Sequence, residues 1–190
     1  MIPELTQPPY WSTGIRKRIN KTIKYLDDRI SYGTPILDVG QENYLSKAMS
    51  ATFKTVVDNT DGDLDSDFYI VNDGERYYYD VIVYSHTIEH QFSPLHTLKL
   101  LKYHLSEDGR IYIFAPSGIT FKFLWGKGHY HEIDEYRMRL LIKRAGLKLI
   151  SVTRQRVYGS WWHYLLGIRP LMRLITTTLV GNTLIYEVEK

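Results

Sequence analysis

Tyr79-Asp80-Val81-Ile82-Val83-Tyr84-Ser85-His86-Thr87-Ile88-Glu89-His90 carries an apolar run of strand length straight into a turn crowded with ionisable side chains. An α/β protein presents its chemistry this way, where a buried strand hands over to a polar loop at the carboxyl edge of the sheet. The stretch predicts a central strand with an active edge just beyond it.

The surrounding chain supports a sheet of this kind. Apolar segments of strand length recur at 36–39, 53–57, 68–71, 81–84, 110–115, 147–157 and 183–188, with helices or turns between them. Alternation of strand and helix predicts a mostly parallel sheet covered on both faces, a three-layer α/β sandwich. Ser93 and Pro94 mark the start of one helix, with Leu95, Leu98, Leu101 and Leu105 as its stripe and Ser106-Glu107-Asp108-Gly109 as the turn after it. A second begins with Glu132, Asp134 and Glu135 and ends with Lys143 and Arg144 before Gly146, so both ends complement the helix dipole. Between Val57 and Phe68 the connection is short, acidic and interrupted by Gly62, which argues against a crossover helix there.

With 190 residues, 44% hydrophobic and 24% charged, the chain suits one domain over 1–190. An amphipathic helix is expected over 12–30, where Ile15, Ile19, Ile23, Leu26 and Ile30 recur at helical spacing. A hydrophobic helical insertion is expected over 160–181, before the last strand. Arg169, Pro170 and Arg173 fall inside it, which argues against a transmembrane segment and leaves peripheral membrane contact as its membrane role. The net charge of +3 gives no strong nucleic-acid signal. The absence of cysteine excludes disulfides and thiolate metal sites. Pro3, Glu4, Pro8 and Pro9 break any secretory leader, so the expected location is cytoplasmic.

Three constellations could carry chemistry. Asp38-Val39-Gly40-Gln41 ends the first strand, and glycine there lets a nucleotide-type ligand approach the backbone, although a tight turn without a ligand reads the same. Asp58 and Asp73 are read as ending the next two strands, where carboxylates can accept hydrogen bonds from ribose hydroxyls or an adenine amino group; Asp61, Asp63, Asp65 and Asp67 are read as solubilising loop residues. His86, Glu89 and His90, with His129 and His131 further on, could supply a general base or bind a divalent metal.

Asp80-Val81-Ile82-Val83, Ile88-Glu89-His90, Pro94, Leu105 to Gly109 and Ala115-Pro116-Ser117 together resemble the "FDVV…LEH…P…L…G…P" block of class I S-adenosylmethionine-dependent methyltransferases, in particular the group of ubiquinone-pathway O-methyltransferases. His131-Glu132-Ile133-Asp134 with Arg144-Ala145-Gly146-Leu147 is similar to that group's approach to its sixth strand. The resemblance spans about 36–157. It implies a Rossmann-like seven-stranded sheet with an antiparallel last strand, S-adenosylmethionine as cofactor, and methyl transfer to oxygen or nitrogen of a small or lipid-linked acceptor. On that footing Asp38, Gly40, Gln41, Asp58, Asp73 and Ser85 would hold the cofactor, His86 or His131 would be the base, and Trp125, Trp161 and Trp162 would line the acceptor pocket. Members with an "E-x-x-E-H" turn bind magnesium there, and the counterpart here is His86, Glu89 and His90. The family's first turn carries three glycines, and only Gly40 is present, with Glu42 and Tyr44 at the other two positions. That departure leaves a second reading, a non-catalytic module of the same fold that has lost its cofactor site. The shortened connection after the second strand is expected to leave the adenosine side open.

Overall fold

The computed structural model describes residues 13–71, 77–117, 128–131, 133–156 and 183–190. The expected insertion over 160–181, Asp73, Trp125, Glu132, Trp161 and Trp162 lie outside them.

The elements run α1 (Thr13–Asp27), β1 (Ile36–Asp38), α2 (Tyr44–Phe53), β2 (Val57–Gly62), β3 (Phe68–Val71), β4 (Tyr79–Ser85), a 3-10 turn (Ile88–His90), α3 (Pro94–His104), β5 (Leu105–Pro116), α4 (Glu135–Arg144), β6 (Lys148–Gln155) and β7 (Thr183–Glu189). The seven strands form one sheet in the order β3-β2-β1-β4-β5-β7-β6. The pairs β1–β2, β1–β4 and β4–β5 are parallel, and β7 is antiparallel to both β5 and β6. This is the Rossmann-like arrangement with a reversed last strand.

Alternation along the central strands builds two cores. Ile36, Val81, Val83, Tyr112 and Phe114 face α1 and α2, where Ile23, Leu26, Leu45, Met49 and Phe53 cover them. Leu37, Ile82, Tyr84, Ile111 and Ile113 face Leu98 and Leu101 of α3 and Met138 and Ile142 of α4. Successive residues of one strand point to opposite faces, so a sheet covered on both sides needs apolar residues throughout, as Val81 to Tyr84 has.

Three expectations change. The second strand begins at Val57, not Phe53, because Phe53 completes the buried face of α2 with Leu45, Ala48 and Met49, and Lys54 ends that helix in the left-handed conformation at φ 51°. β3 runs antiparallel to β2, with Asn59 opposite Val71 and Gly62 opposite Phe68, so one strand expected in a parallel crossover is the return arm of a hairpin. The missing crossover helix explains it, since a connection this short can only turn back. Gly62 is required at the bend: its φ is 96°, and a Cβ there would meet the Asp67 carbonyl oxygen at 2.9 Å. The third change concerns residues 106–109, which bulge within β5, where the register passes from Tyr79 opposite Leu105 to Val81 opposite Arg110.

The hairpin's turn does not leave its side of the sheet open. Asp65 accepts hydrogen bonds from the backbone N–H groups of Phe92 (2.9 Å) and Ser93 (2.6 Å), the Thr97 hydroxyl donates to the Leu64 carbonyl (2.7 Å), and a ring nitrogen of His96 lies 2.7 Å from the Ser66 carbonyl oxygen. Ser93 holds the N-cap position of α3 without a side-chain capping bond. The carboxylate that serves the chain entering α3 comes from the hairpin turn instead.

Asp65→Ala should therefore lower stability by about 1–2 kcal/mol, the scale of a lost cap, while Asp65→Asn, which keeps one acceptor oxygen, should lose less. Equal denaturant midpoints for the alanine variant and the parent protein would show that the clasp contributes nothing.

Candidate functional site

The carboxyl ends of β1, β2 and β4 meet at one edge, and a buried polar network fixes it. Asp38, 1% exposed, accepts from the Ser46 hydroxyl (2.7 Å) and the Asn43 side-chain amide (3.3 Å), both near the start of α2. The Asn59 amide lies within hydrogen-bond distance of the Asp38 carbonyl oxygen (3.3 Å), the Gly40 carbonyl oxygen (3.1 Å) and Ser46 Oγ (3.2 Å), which ties β2 to the same turn. Asn43 also caps α2, accepting from the N–H groups of Leu45 and Ser46. Burial pushes the Asp38 carboxyl up to about 7, against the lowering effect of its Ser46 and Asn43 hydrogen bonds.

Above this network the turn is open. Gly40 has φ 122°, its N–H donates to Thr60 Oγ1 (2.8 Å), and a Cβ built on it would meet, among the described residues beyond its chain neighbours, only Thr87 Oγ1, at 3.9 Å. The Gln41 amide donates to Asp61 (2.9 Å), which also accepts from the Gly62 N–H (2.8 Å) and the Tyr69 hydroxyl (3.2 Å). Those bonds, led by Gln41, hold the Asp61 carboxyl below its ordinary range. Ser85 ends β4, and Thr87 Oγ1 lies 3.2 Å from the Ser85 carbonyl oxygen and 3.3 Å from that of Val39, bridging the two strand ends.

Asp58 was expected at the end of its strand. It lies second in β2, opposite Leu37, and is 5% exposed with the Tyr79 hydroxyl donating to it at 2.8 Å. The carboxylate at the carboxyl end of β2 is Asp61, because the strand starts later than the apolar run suggests. Asp73 lies outside the described residues, and β3 before it runs toward the opposite edge.

The β4 turn holds a dyad. His86 sits in the left-handed region at φ 54°, anchored by its N–H to the Phe114 carbonyl (2.8 Å), and its Nδ1 lies 3.3 Å from Glu89 Oε1. The two side chains are 16% and 3% exposed. A left-handed non-glycine residue costs about 1–2 kcal/mol, and such strain persists where the surroundings over-determine it. Burial pushes the His86 imidazole down; Glu89 opposes this, and the charges of Arg18 and His129 reinforce it. Burial, the largest single influence, would raise the Glu89 carboxyl, but the hydrogen bond and electrostatic attraction of His86, with smaller help from a backbone hydrogen bond and His90, together leave it below its ordinary range. The direction that fits both groups is a neutral imidazole donating through Nδ1–H to an ionised carboxylate. Its Nε2 is then a lone-pair acceptor, buried and without a hydrogen-bond partner among the described residues.

Residues 128–131 lie across this turn. The N–H groups of Tyr130 (2.9 Å) and His131 (3.3 Å) meet the Glu89 carbonyl, a ring nitrogen of His90 lies 2.9 Å from the Gly128 carbonyl oxygen, and Phe92 stacks on Tyr130 with centroids 4.0 Å apart. His131 contributes backbone here while its side chain is exposed. The histidine that meets the cluster is His129, whose ring stands perpendicular to that of His90 at 4.8 Å. The expected metal set of His86, Glu89 and His90 does not converge as such; a carboxylate oxygen of Glu89 and ring nitrogens of His90 and His129 lie within 4.8 Å of one another.

No protein-family model matches the sequence, and no curated protein matches it significantly. Solved structures do share its fold. A chain from the complex between the Haloferax volcanii Trm112 methyltransferase activator and the putative methyltransferase is similar with TM-score 0.66 at 14% identity over 92% of each chain. An S-adenosylmethionine-dependent methyltransferase from Archaeoglobus fulgidus gives 0.63 at 16% identity over 94% of this chain and 95% of that one. The [4+2]-cyclase SpnF gives 0.54 at 9% identity over 90% and 81%. Among the described residues no helix is long and apolar enough to cross a membrane.

The buried Asp38 has a signed consequence. Burial pushes the Asp38 carboxyl up to about 7 from an ordinary value of 3.8, so the folded state binds the extra proton between these values. Its contribution to stability is greatest at low pH and declines as pH rises from about 4 to about 7, by a few kcal/mol on the order-of-magnitude scale of such a shift. In urea unfolding across that window, Asp38→Asn should remove this decline. Parallel pH profiles for variant and parent would show that the carboxyl titrates normally.

Proposed function

We propose that this chain transfers a methyl group from S-adenosylmethionine to an oxygen or nitrogen of a small or lipid-linked acceptor. The observation that carries the proposal is the His86–Glu89 dyad, with its buried Nε2 that has no hydrogen-bond partner among the described residues, on the sheet edge that also presents the open Gly40 turn and Asp61. The residues fit the cofactor: Gly40 leaves room for close backbone approach, Asp61 is an ionised acceptor suited to ribose hydroxyls, and Gln41 and Ser85 stand beside them.

When bound, the cofactor supplies a methyl group activated by its sulfonium. The chain's own work is alignment and proton removal. His86 Nε2 takes the proton of the acceptor hydroxyl or amine, and Glu89 holds the tautomer that makes Nε2 the acceptor. The Glu89 carboxylate also stabilises the imidazolium as it forms. Asp58 is assigned to structure, since its carboxylate is held by Tyr79 inside the sheet.

A non-catalytic module is the second reading, supported by the single glycine of the first turn and by the clasped β2–β3 hairpin. Calorimetric titration with S-adenosylhomocysteine separates the two. Saturable binding is expected, weakened on the order of tenfold by Asp61→Ala, the scale of one lost hydrogen bond. No heat and no thermal shift at millimolar ligand would favour the module. With an acceptor in hand, His86→Ala should lower turnover by roughly a hundredfold or more at nearly unchanged cofactor affinity; normal turnover would remove the dyad from the mechanism.

A further inference from the structure

The amino edge of the sheet, opposite the candidate site, carries a cavity with no part in the chemistry above. It encloses about 700 Å³ between the second half of α3, the start of β4, the bulge in β5 and the end of β7. That volume falls within the range of small-molecule sites, roughly 300–1,000 Å³. β4 separates it from the dyad, since Tyr78 precedes the strand and His86 follows it, and its seven residues span about 20 Å. The bulge at 106–109 forms one wall and brings Ser106 and Glu107 into the lining. Gly109 is what lets it pack: a Cβ there would meet Leu105 Cδ1 at 2.8 Å, Ser106 Oγ at 2.9 Å and the Tyr79 carbonyl oxygen at 3.0 Å.

Two kinds of group face this space. Tyr78 and Tyr103 are exposed, yet their rings are held: they lie 6.4 Å apart, and the His104 ring stands edge-on to Tyr103 at 5.3 Å. Large rings left bare side by side make an apolar shelf that a planar group can cover. The lysines beside it differ in what already occupies them. Lys190 pairs with Glu107 at 2.7 Å, and Lys102 donates to the Gly146 carbonyl oxygen (2.6 Å), which uses one of its three N–H bonds. Lys99 makes no hydrogen bond or ion pair among the described residues. Asp80 nearby accepts from the Ser106 hydroxyl (2.7 Å). Lys99, Lys102 and Tyr103 stand three and four positions apart on α3, so one helix face presents two ammonium groups with donors to spare next to an aromatic ring.

We propose that this cavity binds a small molecule that joins a planar ring to a phosphate, the chemistry shared by mononucleotides and aryl phosphates. The ring covers Tyr78 and Tyr103, and the phosphate meets Lys99 and Lys102 as point charges. Lys99 is exposed and Lys102 half-buried, so solvent and salt keep the phosphate contact weak by itself, and the ring contact adds what it lacks. The site is separate from the carboxyl edge and stands whether or not the chain transfers a methyl group.

Calorimetric titration of the full chain with uridine monophosphate tests this, because its pyrimidine is unlike the adenine of the proposed cofactor; phenyl phosphate, uridine and inorganic phosphate complete the set. One equivalent of a ring-bearing phosphate should bind, with uridine and inorganic phosphate each at least about tenfold weaker, the scale of one lost charged hydrogen bond or ring contact. A preference between the two ring-bearing phosphates assigns the ligand to nucleotides or to simpler aryl phosphates. Lys99→Ala and Tyr103→Ala should each weaken binding by a similar factor, and both side chains are exposed, so their loss leaves the core intact. Asp61→Ala, at the other edge, should leave binding unchanged. Ring-bearing phosphates that bind no better than inorganic phosphate, full affinity in the Lys99→Ala/Tyr103→Ala double variant, or weakening by Asp61→Ala would each overturn the proposal.

Discussion

A buried carboxylate at the end of the central strand constrains everything around the candidate site. Asp38 is removed from water on β1, and its charge or its proton must be accommodated by neighbours that come from elsewhere in the chain. Ser46 and Asn43 supply donors from the first turn of α2, and Asn59 reaches across from β2 to the backbone of the same turn. Two strands and a helix are thereby locked at one point. Such a network contributes little net stability, but every member must be satisfied at once, so it specifies one geometry. The Gly40 backbone is thus held to β2 at both its N–H and its carbonyl, beneath the space above it.

The reversed β3 is the second determinant, and it follows from a short connection. A parallel crossover needs a dozen or more residues, usually including a helix, and the chain provides only residues 63–67 between β2 and β3. The hairpin that results sends its turn to the carboxyl edge and its return arm to the opposite one. The turn then acts as a brace: Asp65, Leu64 and Ser66 meet α3 and the residues just before it, while Asp61 is left facing Gln41. A shorter connection has therefore produced a more firmly tied edge instead of an open one.

The central strands were legible because burial on two faces leaves an unbroken apolar run, and Val81 to Tyr84 has no other economical reading. The hairpin was legible only in part. Polarity and Gly62 ruled out a helix, but strand direction is not written in composition. Asp58 was misplaced because Phe53 and Val57 look like one apolar strand, when Phe53 belongs to the helical stripe of Leu45, Ala48 and Met49. An error of four residues at a strand start exchanged a buried structural carboxylate for Asp61, the one at the edge. The sequence grouped His129 and His131 with His86, Glu89 and His90 without saying which would meet them, since His129 and His90 are 39 positions apart and the spacing holds no periodic signal. His131, which belongs to the resembling segment, meets the Glu89 carbonyl through its backbone, while it is the His129 ring that stands against His90.

The presence of one glycine in the first turn weighs less against a ligand than it does on paper. Glu42 and Tyr44 stand where the resemblance implies glycines, whose use is to let another group approach the backbone. Here Glu42 is exposed and lies 3.6 Å from Lys47, and Tyr44 is the first residue of α2. Asn43 between them turns inward and supplies the cap, so the helix start is satisfied without borrowing from the turn. Neither residue is among the nearest contacts of the space over Gly40, where, among the described residues and beyond Gly40's own chain neighbours, only Thr87 Oγ1 comes within 4 Å of a would-be Cβ. What the turn lacks is backbone freedom at two positions, and the Asp38 network fixes the backbone there. Rigid preorganisation and loss of glycine are thus compatible, because a turn held open by buried hydrogen bonds does not need flexible residues to admit a ligand.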